Sequence, residues 1–298
     1  MAFPLVFSFL VTSWLAFFPS LSTPPAAQAI TISGLVVSSD NQTPVAYASV
    51  GLMNASTGTI CSSSGEFSLA IPAGQQDKMV RFSAIGFEPK DMNVEDLHQQ
   101  ALVSKPLKIT LTSKPVALAE VEVNPKNWET KQIGGTLEPD TYFSHSFIIM
   151  PRPLAANLGR EIGIHINNGK KQSLLSKLNF CLRSNRYDMV KFRLNVYVLQ
   201  NGKPGDNLLK QAIYVTVRDQ KTGWMNVDLE PYDIYVEQDF VISLEWIDAL
   251  PKTHSLSLTI PASMPGFQTA YHKDASQSKW SKIPAAGMGM NVELLRAK

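Results

Sequence analysis

The chain has 298 residues, of which 44% are hydrophobic, and its formal net charge is +2 at pH 7. This length and apolar content suffice for two ordinary hydrophobic cores. The near-neutral charge gives no electrostatic basis for binding nucleic acid or an anionic membrane surface, so we expect no nucleic-acid partner.

Residues 1–29 have the pattern of an export signal. Residues 3–18 are almost entirely apolar, and Ala27-Gln28-Ala29 is a small-x-small cleavage site, although no Lys or Arg precedes the apolar run. The alternative is an N-terminal membrane anchor, but the run is shorter than the ~20 residues that a spanning helix needs, and Pro19 follows it. We therefore predict an exported protein that is periplasmic, attached to the outer-membrane surface or secreted. We expect no transmembrane span in the mature chain.

Residues 30–123 have the pattern of a small antiparallel β-sandwich. Short apolar runs, among them 32–37, 46–53 and 80–84, alternate with polar turns such as 40–44 and 62–65. Gly65 can adopt the positive φ that a tight turn requires. One short helix is predicted, at 94–101.

The motifs in this segment resemble those of a known family. In order they are I-x-G-x-V from Ile32, P-x-x-x-A-x-V from Pro44, T-G-T from Thr57, G-E-F from Gly65 and F-S-A-I-G-F from Phe82. Together with the L-x-E-V-x-V run at 118–123, they resemble the carboxypeptidase-like regulatory domain. The resemblance implies a seven-stranded, transthyretin-like β-sandwich of the kind found in Bacteroidetes-type envelope proteins.

The same resemblance limits what the first domain is expected to do. The family is an accessory domain that accompanies catalytic ones, so it implies no peptidase activity. The usual acidic residues before the turn glycine are Ser62 and Ser64 here, which weakens any cation-binding interpretation of that turn.

Residues 124–140 are interrupted by Pro and Gly and keep no regular period, so we interpret them as a linker. Residues 141–298 then form a second strand-rich domain, which we expect to be a jelly-roll-like β-sandwich. Lys191, Arg193 and Asn195 alternate with apolar residues, which predicts one buried and one solvated face. The predicted strands are 161–166, 174–182, 190–199, 212–217, 224–229, 240–247, 255–260 and 290–295.

No motif for nucleophilic, zinc-dependent or phosphate-binding chemistry occurs, and the five histidines have no ligand spacing. His165 is expected to face solvent from a strand. The carboxylates between Asp228 and Asp239 are expected to be solvated loop charges; the alternatives are a glycosidase pair and a structural Ca²⁺ site. We predict no catalytic residue, no metal site and no cofactor apart from that structural calcium alternative. The two cysteines, Cys61 and Cys181, are expected to be buried free thiols, with an interdomain disulfide as the alternative.

Aromatic residues concentrate in the later half of the second domain. Trp224 and Trp246 are expected in the core, since Trp buries a large area. The loop that contains Tyr271 and Trp280 is polar, so exposed rings there would form a stacking platform for sugars. The predicted binding residues are Tyr271, Trp280, Lys273 and Gln277.

These observations lead to three hypotheses on function. The first is a non-enzymatic binding or adhesion protein of the cell envelope that contacts a glycan through the second domain. The second is a structural or assembly partner of an outer-membrane complex, with the first domain as a spacer; it predicts an exposed apolar patch or sheet edge. An enzyme is the third, and it would need carboxylates or histidines that converge in one deep pocket.

Overall fold

The computed structural model describes residues 28–114, 128–252 and 254–297. Residues 1–27 of the predicted export signal and the run at 118–123 lie outside the described residues. No helix in the described ranges is long and apolar enough to cross a membrane. The chain is almost all β, which confirms the predicted class of two β-sandwiches.

The first domain is a sandwich of two sheets. One has the strand order β4-β1-β7 and the other β3-β2-β5-β6. Strand β4 shows why they close on each other, because its residues are alternately exposed and buried along its length. The elements are β1 Ile30–Ser38, β2 Ser49–Leu52, β3 Gly58–Ile60, β4 Glu66–Ile71, β5 Met79–Ser83, β6 Lys90–Asn93, α1 Val94–Val103 and β7 Leu107–Leu111.

Helix α1 begins and packs where the sequence indicates. The side chain of Asn93 accepts a hydrogen bond from the backbone N–H of Glu95 at 2.8 Å, which satisfies one of the free donors of the first turn. Val94 and Leu97 are buried in the core of the sandwich. The helix ends at Val103, two residues beyond the predicted end.

The second domain also has two sheets, with one core between them. The larger follows the order β12-β19-β10-β18-β13-β14, and the smaller follows β16-β11-β21-β8. Its elements are β8 Trp128–Gly134, β9 Phe143–Ser146, α2 Leu154–Asn157, β10 Glu161–Ile166, β11 Ser173–Leu182, β12 Ser184–Asn185, β13 Met189–Gln200, β14 Lys203–Asn207, β15 Ile213–Arg218, β16 Gly223–Asp228, β17 Tyr235–Val236, β18 Phe240–Leu250, β19 Leu258–Lys273, β20 Ser281–Met288 and β21 Met290–Ala297.

The segment predicted as a linker contains a strand. Strand β8 pairs antiparallel with β21 from Trp128 opposite Ala297 to Gly134 opposite Asn291. Its residues are mostly exposed, so the apolar alternation that would reveal a strand is missing from the sequence. Its pairing partner lies more than 150 residues away, which explains why local sequence did not indicate it.

The central strands β13 and β18 are buried on both faces. We predicted a solvated face for β13, and this is wrong: Arg193, Asn195 and Tyr197 are only 5%, 2% and 9% exposed. The first domain covers this face at Arg193, whereas Tyr197 packs against Val241, Tyr271 and Trp280 of the second domain itself. Arg193 donates a hydrogen bond from Nη1 to the carbonyl oxygen of Tyr47 at 2.8 Å, across the domain boundary.

Two further contacts fix the domains against each other. Tyr47 and Ile60 of the first domain pack with Ile247 of β18 in a small apolar cluster. The hydroxyl of Ser276 donates to the carbonyl oxygens of Val50 and Thr59 at 3.0 and 3.3 Å. The domain border is therefore held by hydrogen bonds and by one small apolar cluster.

Candidate ligand site between the two domains

A cleft of about 520 Å³ lies between the two sandwiches. The first domain contributes the end of the F-S-A-I-G-F motif, from Ala84 to Phe87, together with Ser49 and Lys114. Gly86 has a φ of +86°, a conformation that L side chains rarely adopt, so the sharp turn of this wall depends on glycine. The second domain contributes Arg193, Asn195, Tyr197, Asn207, Glu245, Lys273 and Gln277, with others.

One wall of the cleft contains a buried ion pair. Arg193 donates to Oε2 of Glu245 from Nε at 2.9 Å and from Nη2 at 2.6 Å, in the two-pronged geometry that guanidinium and carboxylate favour. The same Nη2 donates to Ser49 Oγ of the first domain at 2.6 Å. Burial lowers the pKa of the Arg193 guanidinium because it disfavours the charged form. The nearby Glu245 raises this pKa by more, so the net shift is upward.

A second buried carboxylate lies beside the first. Glu161 of β10 is directly opposite Glu245 of β18 in the ladder. Its Oε1 accepts hydrogen bonds from Asn195 Nδ2 at 2.9 Å, Tyr197 OH at 3.0 Å and the Ser243 hydroxyl. Its Oε2 lies 3.0 Å from Lys273 Nζ.

The groups around Glu161 keep its carboxylate charged. Burial raises the pKa of Glu161, but Lys273 and the donated hydrogen bonds outweigh it and hold that pKa below the usual range. Tyr197 responds in the opposite direction, because burial and the two carboxylates raise its pKa well above the usual range. Glu161 is therefore ionised at neutral pH and Tyr197 is a neutral hydrogen-bond donor.

Sequence reasoning missed Glu161, Arg193 and Glu245. A partial signal was present for Arg193 and Glu245, since each lies between two large apolar neighbours in a strand, for example Glu245 within VISLEWI. A buried position for such a charge requires a partner, and here the partners come from neighbouring strands. The convergence of the two carboxylates depends on strand pairing, which the sequence alone does not give.

The predicted binding residues lie next to this network. Lys273 and Gln277 line the cleft, and Gln277 donates to Ser83 Oγ of the first domain at 2.9 Å. Trp280 is half-buried, with Lys273 Nζ 4.3 Å from its ring centroid. We expected the ring of Tyr271 on an exposed platform, and this is wrong. Tyr271 is 2% exposed, because Tyr197, Val241 and Trp280 pack around it.

The remaining sequence expectations have mixed outcomes. Trp246 lies in the core, as predicted. Trp224 is only half-buried and donates from Nε1 to Glu138 Oε1 at 3.2 Å. His165 is half-buried rather than solvated, with Nε2 3.0 Å from Asp239.

The structure separates the carboxylates that we considered as a Ca²⁺ site. Asp239 is engaged by His165 and by the N–H of Gly169, whereas Glu230 accepts a hydrogen bond from Ser176. In the described ranges no group of three or more His, Cys, Asp or Glu side chains is arranged to hold a metal.

Both cysteines are buried and unpaired, as expected. Burial raises the pKa of the Cys61 thiol to about 12 and that of Cys181 to about 11. Because the thiolate is the reactive form, neither thiol is reactive at neutral pH.

Comparison with known families identifies the first domain. Residues 32–123 match the model of the CarboxypepD_reg-like domain. The first sandwich is a CarboxypepD_reg-like domain. This confirms the resemblance found in the sequence, and it places the F-S-A-I-G-F turn of that domain in the wall of the cleft. No protein of curated function matches the chain.

Solved structures show only distant likeness. The clostridial cysteine protease Cwp84 after propeptide cleavage has a TM-score of 0.38 at 11% identity, over 80% of this chain and 51% of that one. The cysteine protease and lectin-like domains of Cwp84, a surface layer associated protein of Clostridium difficile, give 0.36 at 10% identity, over 80% and 46%. This chain thus spans about half the length of these proteins. T=1 particles derived from infectious bursal virus give 0.24 at 8% identity, over 91% and 62%.

Proposed function

We propose that this chain is a non-enzymatic binding protein of the cell envelope and that its ligand, a saccharide, occupies the interdomain cleft. The observation that carries the proposal is the cleft itself. Its volume of about 520 Å³ is within the range of small-molecule sites, roughly 300–1,000 Å³. The envelope location rests on the predicted export signal and on the family of the first domain.

The chemistry of the walls favours a neutral, hydroxyl-rich ligand. Asn207 and Gln277 line the cleft and each donates an amide hydrogen within the protein, to Asn195 Oδ1 and Ser83 Oγ, which leaves the second hydrogen of each amide for a ligand. Arg193 is paired with Glu245 and Lys273 with Glu161, so these two cations do not favour an anionic ligand. Phe87 adds an apolar surface against which the face of a sugar ring can pack.

The same network supports binding rather than catalysis. Glu161 has a lowered pKa, whereas a catalytic acid at neutral pH needs a raised one. Both oxygens of Glu161 and the Oε2 atom of Glu245 are occupied by donors from the protein. These groups therefore act as fixed parts of a binding wall.

A glycan-binding screen on the full chain, with and without calcium, tests the proposal. We expect a hit whose affinity falls about tenfold or more in Gln277→Ala, since that variant removes a donor and an acceptor from the cleft wall. Trp280→Ala should also weaken binding, because the ring holds Lys273 in place. Lys131→Ala, an exposed residue on β8, is the matched control. Binding that survives both cleft variants, or no binding to any glycan, would refute the saccharide site.

The assembly role is the second candidate. It would use the exposed apolar side chains around Tyr142 and Phe267. Their area is below the ~800 Å² per partner of a stable interface, so the association it predicts is weak. It predicts that the full chain associates with itself or with another envelope protein at micromolar concentration. Sedimentation velocity of the purified chain tests the first of these directly.

A further inference from the structure

Four large apolar side chains project from one corner of the second domain. Tyr142 is 85% exposed, Phe143 53%, Met264 64% and Phe267 110%. We call these four residues the apolar tip. Large exposed side chains are ordinary when scattered, but a group of this size on one corner calls for an explanation.

The fold builds the apolar tip from two neighbouring segments. Ser263 pairs with Gly287 and Gln268 pairs with Ala286, so the four residues from Met264 to Phe267 loop out of strand β19. On its other edge β19 pairs with β9, where Phe143 lies opposite Ala262. Ala262 is two residues before Met264 in the chain, so Phe143 lies close to the loop. The rings of Tyr142 and Phe143 are in edge-to-face contact, with centroids 5.0 Å apart.

The looped-out backbone is held close to the sheet. A Cβ atom added to Gly266 would lie 2.1 Å from the backbone nitrogen of Gly287, so only glycine allows this approach. With the backbone pressed against β20, Met264 and Phe267 point away from the domain. The projection is therefore part of the folded structure and needs no rearrangement to be exposed.

The area and shape of the apolar tip indicate which partner it fits. From about 200 Å² for each large side chain, its exposed apolar area is roughly 600 Å². A stable protein–protein interface needs about 800 Å² from each partner with matching shape. Phe267, the outermost ring, is 110% exposed, so the apolar tip is a projection and matches a flat protein surface poorly. A lipid bilayer is fluid and can close around such a projection.

The charges at the base are balanced. Arg183 donates from Nη1 to the carbonyl oxygen of Tyr142 at 2.9 Å, and exposed Asp140 lies two residues before Tyr142. A cation and an anion thus flank the apolar side chains. This arrangement does not select an anionic surface, in agreement with the net charge of +2 for the whole chain.

We propose that the apolar tip inserts into the interfacial region of a zwitterionic lipid bilayer, so that the protein attaches reversibly to a membrane surface. Tyr142 is favoured at this depth because its ring is apolar and its hydroxyl can stay near water. Phe143, Met264 and Phe267 contribute apolar surface that the bilayer buries. The binding energy comes from apolar burial, so it is independent of salt. The inference does not depend on the saccharide site.

A polarity-sensitive dye at position 267 tests the insertion in the full chain. Phe267→Cys can be labelled selectively, because Cys61 and Cys181 are buried with raised thiol pKa values. The control is dye on Val103→Cys, an apolar position at the end of α1 in the first domain that is 84% exposed. We expect a blue shift of the dye at 267, but not at 103, when phosphatidylcholine–phosphatidylethanolamine vesicles are added.

Three outcomes separate the possibilities. Insertion is supported if the shift at 267 is unchanged between low and high NaCl and if Met264→Ser lowers vesicle partitioning at least about tenfold. It is refuted if the dye at 267 does not shift, or if it shifts equally at 103. A shift at 267 that appears without vesicles as protein concentration rises would also refute it, and would assign the apolar tip to contact between copies of the chain.

Discussion

Replacing Arg193 with methionine should reveal how much the buried network contributes to stability. The substitution removes two hydrogen bonds to Glu245 and one each to Tyr47 and Ser49 of the first domain. Glu245 keeps its position, 4% exposed, without its cationic partner. Removing one partner of a buried ion pair typically costs 3–5 kcal/mol, so we expect the free energy of unfolding to fall by about 4 kcal/mol.

The assay is urea-induced unfolding followed by intrinsic tryptophan fluorescence, to which Trp246 in the core of the second domain contributes. Arg218→Met, an exposed arginine on the adjacent strand β15, is the matched control and should change stability by less than about 0.5 kcal/mol. The double variant Arg193→Met/Glu245→Met should recover at least about 2 kcal/mol relative to Arg193→Met, since two apolar side chains replace an unpaired charge. A loss below about 1 kcal/mol for Arg193→Met would contradict the reasoning, as would a double variant no more stable than the single one.

Three further predictions concern other parts of the chain. Burial, His272 and Arg160 lower the pKa of His145 to about 4, so on acidification the unfolded state takes up this proton at a higher pH than the folded state does. The free energy of unfolding should therefore fall by up to about 3 kcal/mol as the pH drops from 6.5 to 4. Urea titrations at several pH values measure this slope, and a His145→Gln variant that keeps it would exclude the assignment. Gly58→Val should lower the free energy of unfolding by about 2 kcal/mol in the same assay, because a Cβ atom at this position on the domain border lies 2.8 Å from Ser276 Oγ. An unchanged free energy would mean that the residues of the border shift to make room for the side chain. Asn93→Ala should cost about 1 kcal/mol in thermal unfolding through loss of the helix cap, and an unchanged melting temperature would show that the cap is dispensable.

The elements with a regular apolar period could be predicted from the sequence. The helix after Asn93 and the strand at Glu161–Ile166 appear where expected, and the motifs from Ile32 to Phe87 indicated the first sandwich. In each case residues close together in the chain set the pattern, so no knowledge of tertiary contacts was needed.

The parts that could not be predicted depend on distant partners. Strand β8 exists through its pairing with β21. The polar face of β13 is buried because the first domain covers Arg193 and distant parts of the second domain cover Tyr197. The apolar tip depends on the register jump in β19, which brings Met264 and Phe267 near Phe143. Lys273 and Gln277, predicted as binding residues, line the cleft, but the exposed Tyr271 ring expected beside them is buried.

The polar character of the domain border has a consequence for modularity. Most of the side-chain hydrogen bonds that cross it go to backbone carbonyls and hydroxyls, for example Arg193 to Tyr47 and Ser276 to Val50. If the second domain were produced alone, the surface that it normally turns to the first domain would be mainly polar rather than apolar. We therefore expect the isolated domain to stay in solution. The first domain, in contrast, cannot be transplanted onto an arbitrary neighbour and keep this orientation. Its new partner would have to supply a guanidinium and a hydroxyl at the same two places.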